Sequence, residues 1–168
     1  MENCCFTGHR TIPLQELPAL TAHVDEVIRT LYGAGCRRYY TGGAVGFDTL
    51  AACRVLLLRE ECPDARLYLL LPCRDQHHAW PPSDIRRYED ILRGCDGFHY
   101  VEEAYSPHVM AARNMELIAH ADVLVAYARR YASGAGQTVR AAEREGIPVL
   151  NLADRITAES SESRTKNL

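Results

Sequence analysis

Apolar residues fall into two kinds of run along this chain: short unbroken blocks, and longer stretches in which they recur at three- and four-residue steps. The blocks at residues 3–6, 37–41, 66–71, 97–101, 122–127 and 148–152 read as β-strands. "RLYLLL" and "DVLVAY" are almost wholly apolar, as strands covered on both faces are. Between the blocks, Leu17, Leu20, Val24, Ile28 and Leu31 share one face of a helix that ends near "YGAG". Phe47, Leu50, Ala51, Val55 and Leu58 mark a second helix. Ile85, Tyr88, Ile91 and Leu92 mark a third, after the breaker "WPPSD" with Ser83 as the expected N-cap. Met110, Leu117, Ile118 and Ala121 mark a fourth, and Val139, Ala142 and Glu143 fall in a shorter fifth that stops at Gly146. Strands alternating with helices predict an α/β fold: a Rossmann-like, doubly wound, mainly parallel sheet of about six strands with helices on both faces.

Composition narrows this picture. A chain of 168 residues with 47% hydrophobic content has the size of one domain, and such a domain buries about 70% of its unfolded surface. Residues 1–153 form that domain; residues 154–168 are polar without apolar period and are expected to be a frayed tail. The formal net charge of −3 lacks the broad basic footprint of a protein that grips nucleic acid through its phosphates. Seven cysteines are an odd number, and neither CxxC nor Cys/His zinc spacing occurs, so buried thiols acting as small hydrophobes are expected, with no metal site. "MENCCFTGHR" does not read as a secretory leader, and no apolar stretch approaches about 20 residues, so the expectation is a cytoplasmic protein without a membrane span.

The predicted topology gathers four loops at the carboxyl ends of the strands, where open parallel sheets bind ligands: "TGHR" (7–10), "TGGAVGFD" (41–48), "PCRDQHHAW" (72–80) and "SGAGQT" (133–138). Glycine-rich turns that open helices expose backbone amides at the positive end of the helix dipole and suit a phosphate. Gly42, Gly43 and Gly46 precede one helix; Gly134 and Gly136 precede another. Gly42 and Gly43 equally suit a tight turn, and Asp48 suits either a helix N-cap or a ribose-hydroxyl acceptor. Neither GxGxxG nor GxxxxGK[ST] is present, which disfavours an ordinary dehydrogenase or P-loop NTPase.

Other residues of these loops extend the candidate set. Thr7 and Gly8 lead to His9, read as a hydrogen-bonded strut or an acid/base group, and to Arg10, suited to bidentate phosphate contact. Pro72 and Trp80 belong to the third loop, where Trp80 either stacks on a base or covers core. His77 and His78 are adjacent and chelate poorly; with Asp75 nearby, a metal there is the lesser reading. Asn114 falls on the apolar stripe of the fourth helix beside Arg113 and needs a polar partner there. Thr41, Ser133 and Thr138 complete the ligand-binding candidates, whose ligand is a nucleotide or sugar phosphate.

"CFTGHR", "TGGAVGFD", "MAARNMELIAHADVLVAY" and "SGAGQT" followed by "GIPVLNL" together resemble the YpsA-like family of the SLOG superfamily, which also holds the LOG phosphoribohydrolases and the DNA-processing protein DprA. The resemblance covers almost the whole chain to about Ala153. It implies a Rossmann-like fold, a nucleotide-related ligand and self-association as a homodimer. The LOG motif PGGxGTxxE would fall on "SGAGQTVRA", which puts Ala141 where that motif has its glutamate; Glu143, two residues on, is rotated by about 200° around a helix. Arg113 matches the LOG arginine.

The expected function is therefore binding of a nucleotide or ADP-ribose-like small molecule by a sensor or regulator, with no required cofactor. An enzymatic alternative is cleavage of a nucleotide N-glycosidic bond, with Asp48 or Glu143 as the carboxylate and Arg113 beside it. A DprA-like alternative is single-stranded DNA binding, which would draw on Arg37, Arg38, Arg129 and Arg130; the acidic total and single tryptophan make nucleic acid the weaker expectation.

Overall fold

The computed structural model describes residues 1–130 and 132–165. Six strands, β1 (Asn3–Gly8), β2 (Arg38–Thr41), β3 (Arg66–Leu71), β4 (Gly97–Tyr100), β5 (Val123–Tyr127) and β6 (Val149–Asn151), form one sheet in the order β4-β3-β2-β1-β5-β6. Every pairing is parallel. The helices are α1 (Leu17–Gly33), α2 (Phe47–Leu58), α3 (Pro82–Gly94), α4 (Val109–His120), α5 (Gly134–Arg144) and α6 (Leu152–Thr165).

Alternation along the central strands sorts the core into two layers. Cys4 and Phe6 of β1, with Val123, Val125 and Tyr127 of β5, face α1, α2, α3 and α6; Cys5, Leu124 and Ala126 face α4 and α5. β5 is buried at all five positions, which accounts for the apolar character of "DVLVAY". The fold is the Rossmann-like α/β sandwich that the pattern predicts.

The sheet grows from β1 through β4 in one direction, and α4 then carries the chain back to β5 on the other side of β1. The loops after β1 and β5 therefore leave in divergent directions and open a crevice at their carboxyl ends.

Two expectations are corrected. Ser83 does not cap α3: the helix begins at Pro82 behind Pro81, because proline already carries the backbone φ of a first helical turn and lacks the amide a cap would satisfy. Residues 152–165 are helical where a frayed tail was expected from about Ala153. Leu152, Ala153 and Ile156 are buried in the core under α1 and β5, an anchor too short to register as a periodic pattern. Residues 166–168 of the expected tail lie outside the described residues.

Candidate functional site

A cavity of about 590 Å³ lies between the loops after β1 and β5, with the start of α4 and residues of the β2–α2 turn beneath it. Thr7, Gly8, His9 and Arg10 form one wall, Arg129, Arg130, Ser133, Gly134 and Ala135 the other, and Asp48, Arg113 and Asn114 the floor. The two walls are stitched together: His9 donates its amide to the Tyr127 carbonyl at 3.0 Å, and the Arg129 amide donates to Nε2 of His9 at 2.8 Å. This second bond requires a neutral imidazole protonated on Nδ1. Burial and the charges of Arg130 and Arg129 lower the His9 pKa, which keeps the ring neutral.

The floor is an ion pair. Arg113 donates through Nη1 to Oδ2 of Asp48 at 3.3 Å, and the Ala44 amide donates to the same oxygen at 3.3 Å. Asp48 is 4% and Arg113 7% exposed. Burial raises the Asp48 pKa against the opposing pull of Arg113, and burial lowers that of Arg113. Nε of Arg113 is buried without a hydrogen-bond partner, so the floor retains an unused donor.

The glycines of "TGGAVGFD" explain how this floor is built. A Cβ on Gly42 would lie 1.2 Å from Nη1 of Arg113, so only glycine leaves room for the guanidinium. Gly46 has φ of +81°, and a Cβ there would meet the Arg10 carbonyl oxygen at 2.3 Å, which presses the β2–α2 turn against the β1 loop. The structure sets Gly42, Gly43 and Gly46 against protein atoms, outside the cavity lining.

The opposite wall ends in the N-terminus of α5. Ser133 is its N-cap and accepts from the Gly136 amide at 3.1 Å. Gly136 is thereby engaged and buried, Thr138 donates to the Gly134 carbonyl within the helix, and the cavity is lined by Ser133, Gly134 and Ala135 instead. Arg129 donates to Glu16 at 2.7 Å, and Glu16 also accepts from the Tyr127 hydroxyl at 2.6 Å. Among the described residues, Arg10 and Arg130 line the cavity with no carboxylate paired to either.

Nine sequence candidates thus meet in one cavity: Thr7, Gly8, His9, Arg10, Asp48, Arg113, Asn114, Ser133 and Gly134. Thr41 is buried behind it and donates weakly to the Asp48 carbonyl at 3.4 Å. Pro72 is buried at the end of β3, and Trp80 packs edge-on to Tyr88 and His77, away from the lining. Glu143 is exposed on α5 and borders a separate surface depression with Gln137, Arg140 and Arg144. The stripe of α4 buries Arg113 with Val109 and Leu117, while Asn114 is half-buried, the reverse of the placement expected from the helical period. Asp48 lies inside the first turn of α2, behind Gly46 at the N-cap, and its side chain serves Ala44 and Arg113.

Glu16, Tyr127 and Ala44 were not legible as site residues. Glu16 sits at a helix start like any surface acid, and Tyr127 closes a strand that reads as pure core; only their shared hydrogen bond reveals them. Among the described residues no helix is long and apolar enough to cross a membrane.

Comparison with known proteins agrees with this architecture. A stretch of 101 residues, 53% of the chain, is 29% identical to the uncharacterized SPbeta prophage-derived protein YoqJ of Bacillus subtilis (strain 168), and it spans 59% of that protein. Among solved structures, DNA processing protein A from Helicobacter pylori, described for its single-stranded DNA binding mode, superposes with a TM-score of 0.63 at 21% identity over 88% of this chain and 63% of its own. DprA from Streptococcus pneumoniae gives a TM-score of 0.65 at 20% identity, covering 88% of this chain and 49% of its own. TM1055 gives 0.58 at 20% identity, covering 93% and 80%. At these identities the structural likeness speaks for the fold. The model of the YspA SLOG family matches residues 4–144, most of the chain, and the protein belongs to that family.

Proposed function

We propose that the crevice binds a phosphate-bearing small molecule, a nucleotide or an ADP-ribose-like compound, and that the protein acts as a sensor or regulator through its occupancy. The observation that carries this reading is the pair of guanidiniums, Arg10 and Arg130, that line one cavity without a paired carboxylate among the described residues. With the α5 N-terminus lining the same cavity at the switch point of the sheet, they suit a doubly charged phosphate. A volume of about 590 Å³ is within the range of nucleotide-sized pockets.

Binding is favoured over cleavage because both acids of the cavity are already engaged: Asp48 pairs with Arg113, and Glu16 with Arg129. Glu143, the other candidate for bond cleavage, borders a different depression.

The test is a thermal-shift titration with AMP, ADP, ATP, NAD, ADP-ribose and ribose 5-phosphate, run on wild type, Arg10→Ala and Arg130→Ala. A ligand at about 100 times its Kd stabilises the fold by about 2.7 kcal/mol, a rise of several degrees in Tm. At least one compound is expected to shift wild type and to lose its shift in both variants. No shift across the panel sinks the reading; release of free base from AMP or ADP-ribose by wild type would replace it with hydrolysis.

A further inference from the structure

The cavity holds an acid in a place where local structure has another use for it. Glu16 immediately precedes α1, the position from which a side chain ordinarily accepts from first-turn amides. Its carboxylate makes no such bond, and α1 has no acidic residue in its first turn. The side chain instead crosses to the far wall, where it accepts from the Tyr127 hydroxyl at 2.6 Å and from Nη2 of Arg129 at 2.7 Å.

The two anchors differ in exposure. Tyr127 is 1% exposed, with its ring stacked on Phe47, so its hydroxyl is fixed. The Arg129 side chain is 39% exposed, with its guanidinium carbon 5.9 Å from the centroid of the Tyr127 ring, and is the more accessible of the two.

We propose that Glu16 is a resident counter-ion of the crevice: held by Tyr127, it neutralises Arg129 and competes with an anionic ligand for that guanidinium. This rests on the reading of the crevice as an anion site. Carboxylate and phosphate are both anionic acceptors, so they compete for the positive charge of Arg129, of which Nη2 is the atom that Glu16 holds. The displaced carboxylate stays tethered to Tyr127 and repels the incoming phosphate across a cleft partly shielded from water. Glu16 thus sets a threshold that weakly charged anions do not cross.

Isothermal titration of the full chain with inorganic pyrophosphate tests this, using wild type, Arg10→Ala, Glu16→Gln, and Glu16→Gln combined with Arg129→Gln. Glutamine keeps the acceptor for Tyr127 and removes the charge. Glu16→Gln is expected to bind pyrophosphate about tenfold more tightly than wild type, with the gain abolished by the added Arg129→Gln. Unchanged or weaker binding by Glu16→Gln, while wild type binds and Arg10→Ala does not, overturns the counter-ion role and leaves the anion site standing. Absence of binding by both wild type and Glu16→Gln, each melting cooperatively, overturns the anion site and this role with it. Glu16→Ala repeats the measurement should the glutamine variant fail to fold.

Discussion

Gly42 and Arg113 come from distant parts of the chain and form one device. The glycine leaves the space that the guanidinium fills, and the guanidinium offsets the buried charge of Asp48. Gly42→Ala is expected to push Arg113 off Asp48 and lower stability by about 1 to 3 kcal/mol in a denaturant melt, the range for overpacking. Arg113→Ala leaves an unpaired buried carboxylate and is expected to cost about 3 to 5 kcal/mol. Asp48→Asn keeps an acceptor for the Ala44 amide, so the double variant Asp48→Asn with Arg113→Met should cost less than the sum of its parts, measured as a double-mutant cycle. Strict additivity would mean that the pair does not couple. The proposed ligand binding is consequently better probed through Arg10 than through Arg113, whose loss is expected to disturb the fold. His9 supplies part of the pH dependence below neutrality, with His77 shifted in the same direction by burial. The folded-state pKa of His9 is below the ordinary value of 6.5, so the folded protein holds fewer protons than the unfolded chain just below that pH. Its contribution to stability is complete above about 6.5 and is lost as pH falls through the folded-state value. An NMR titration of the His9 ring should give a midpoint below 6.5, and His9→Gln, which still offers Arg129 an acceptor, should flatten that part of the stability profile.

At the level of elements, the unbroken runs were the clearest signals. Residues 66–71 were readable as a strand to the residue, since five apolar residues follow Arg66 without a break. Loop placement was legible where backbone chemistry marks it: "TGHR" and the start of "SGAGQT" meet across one cavity. Side-chain placement was legible only in part. A helical period cannot tell Arg113 from Asn114, because which of two adjacent polar residues turns inward depends on a carboxylate from another helix. The sixth helix was missed for a related reason: among the described residues its buried apolar anchors are Leu152, Ala153 and Ile156, too few to show a period. Ile156→Ala is expected to lower stability by about 2 to 5 kcal/mol, as for other buried isoleucines, and an effect under a few tenths would mean that α6 is not part of the cooperative unit.

For the whole molecule, the crevice is a property of chain order as much as of residues. β1 is the first strand in the chain yet sits mid-sheet, and its partner β5 comes about 120 residues later, where the Asp122 carboxylate accepts from the amides of Glu2 and Asn3. A ribosome making this protein therefore releases β1 to β4, four of the six strands, with β1 still an open edge, and the wall of Arg129 and Arg130 does not exist until the segment past Tyr127 has emerged. Until then the crevice is incomplete, and a ligand of the proposed site would stabilise only molecules that have already added the segment past Tyr127.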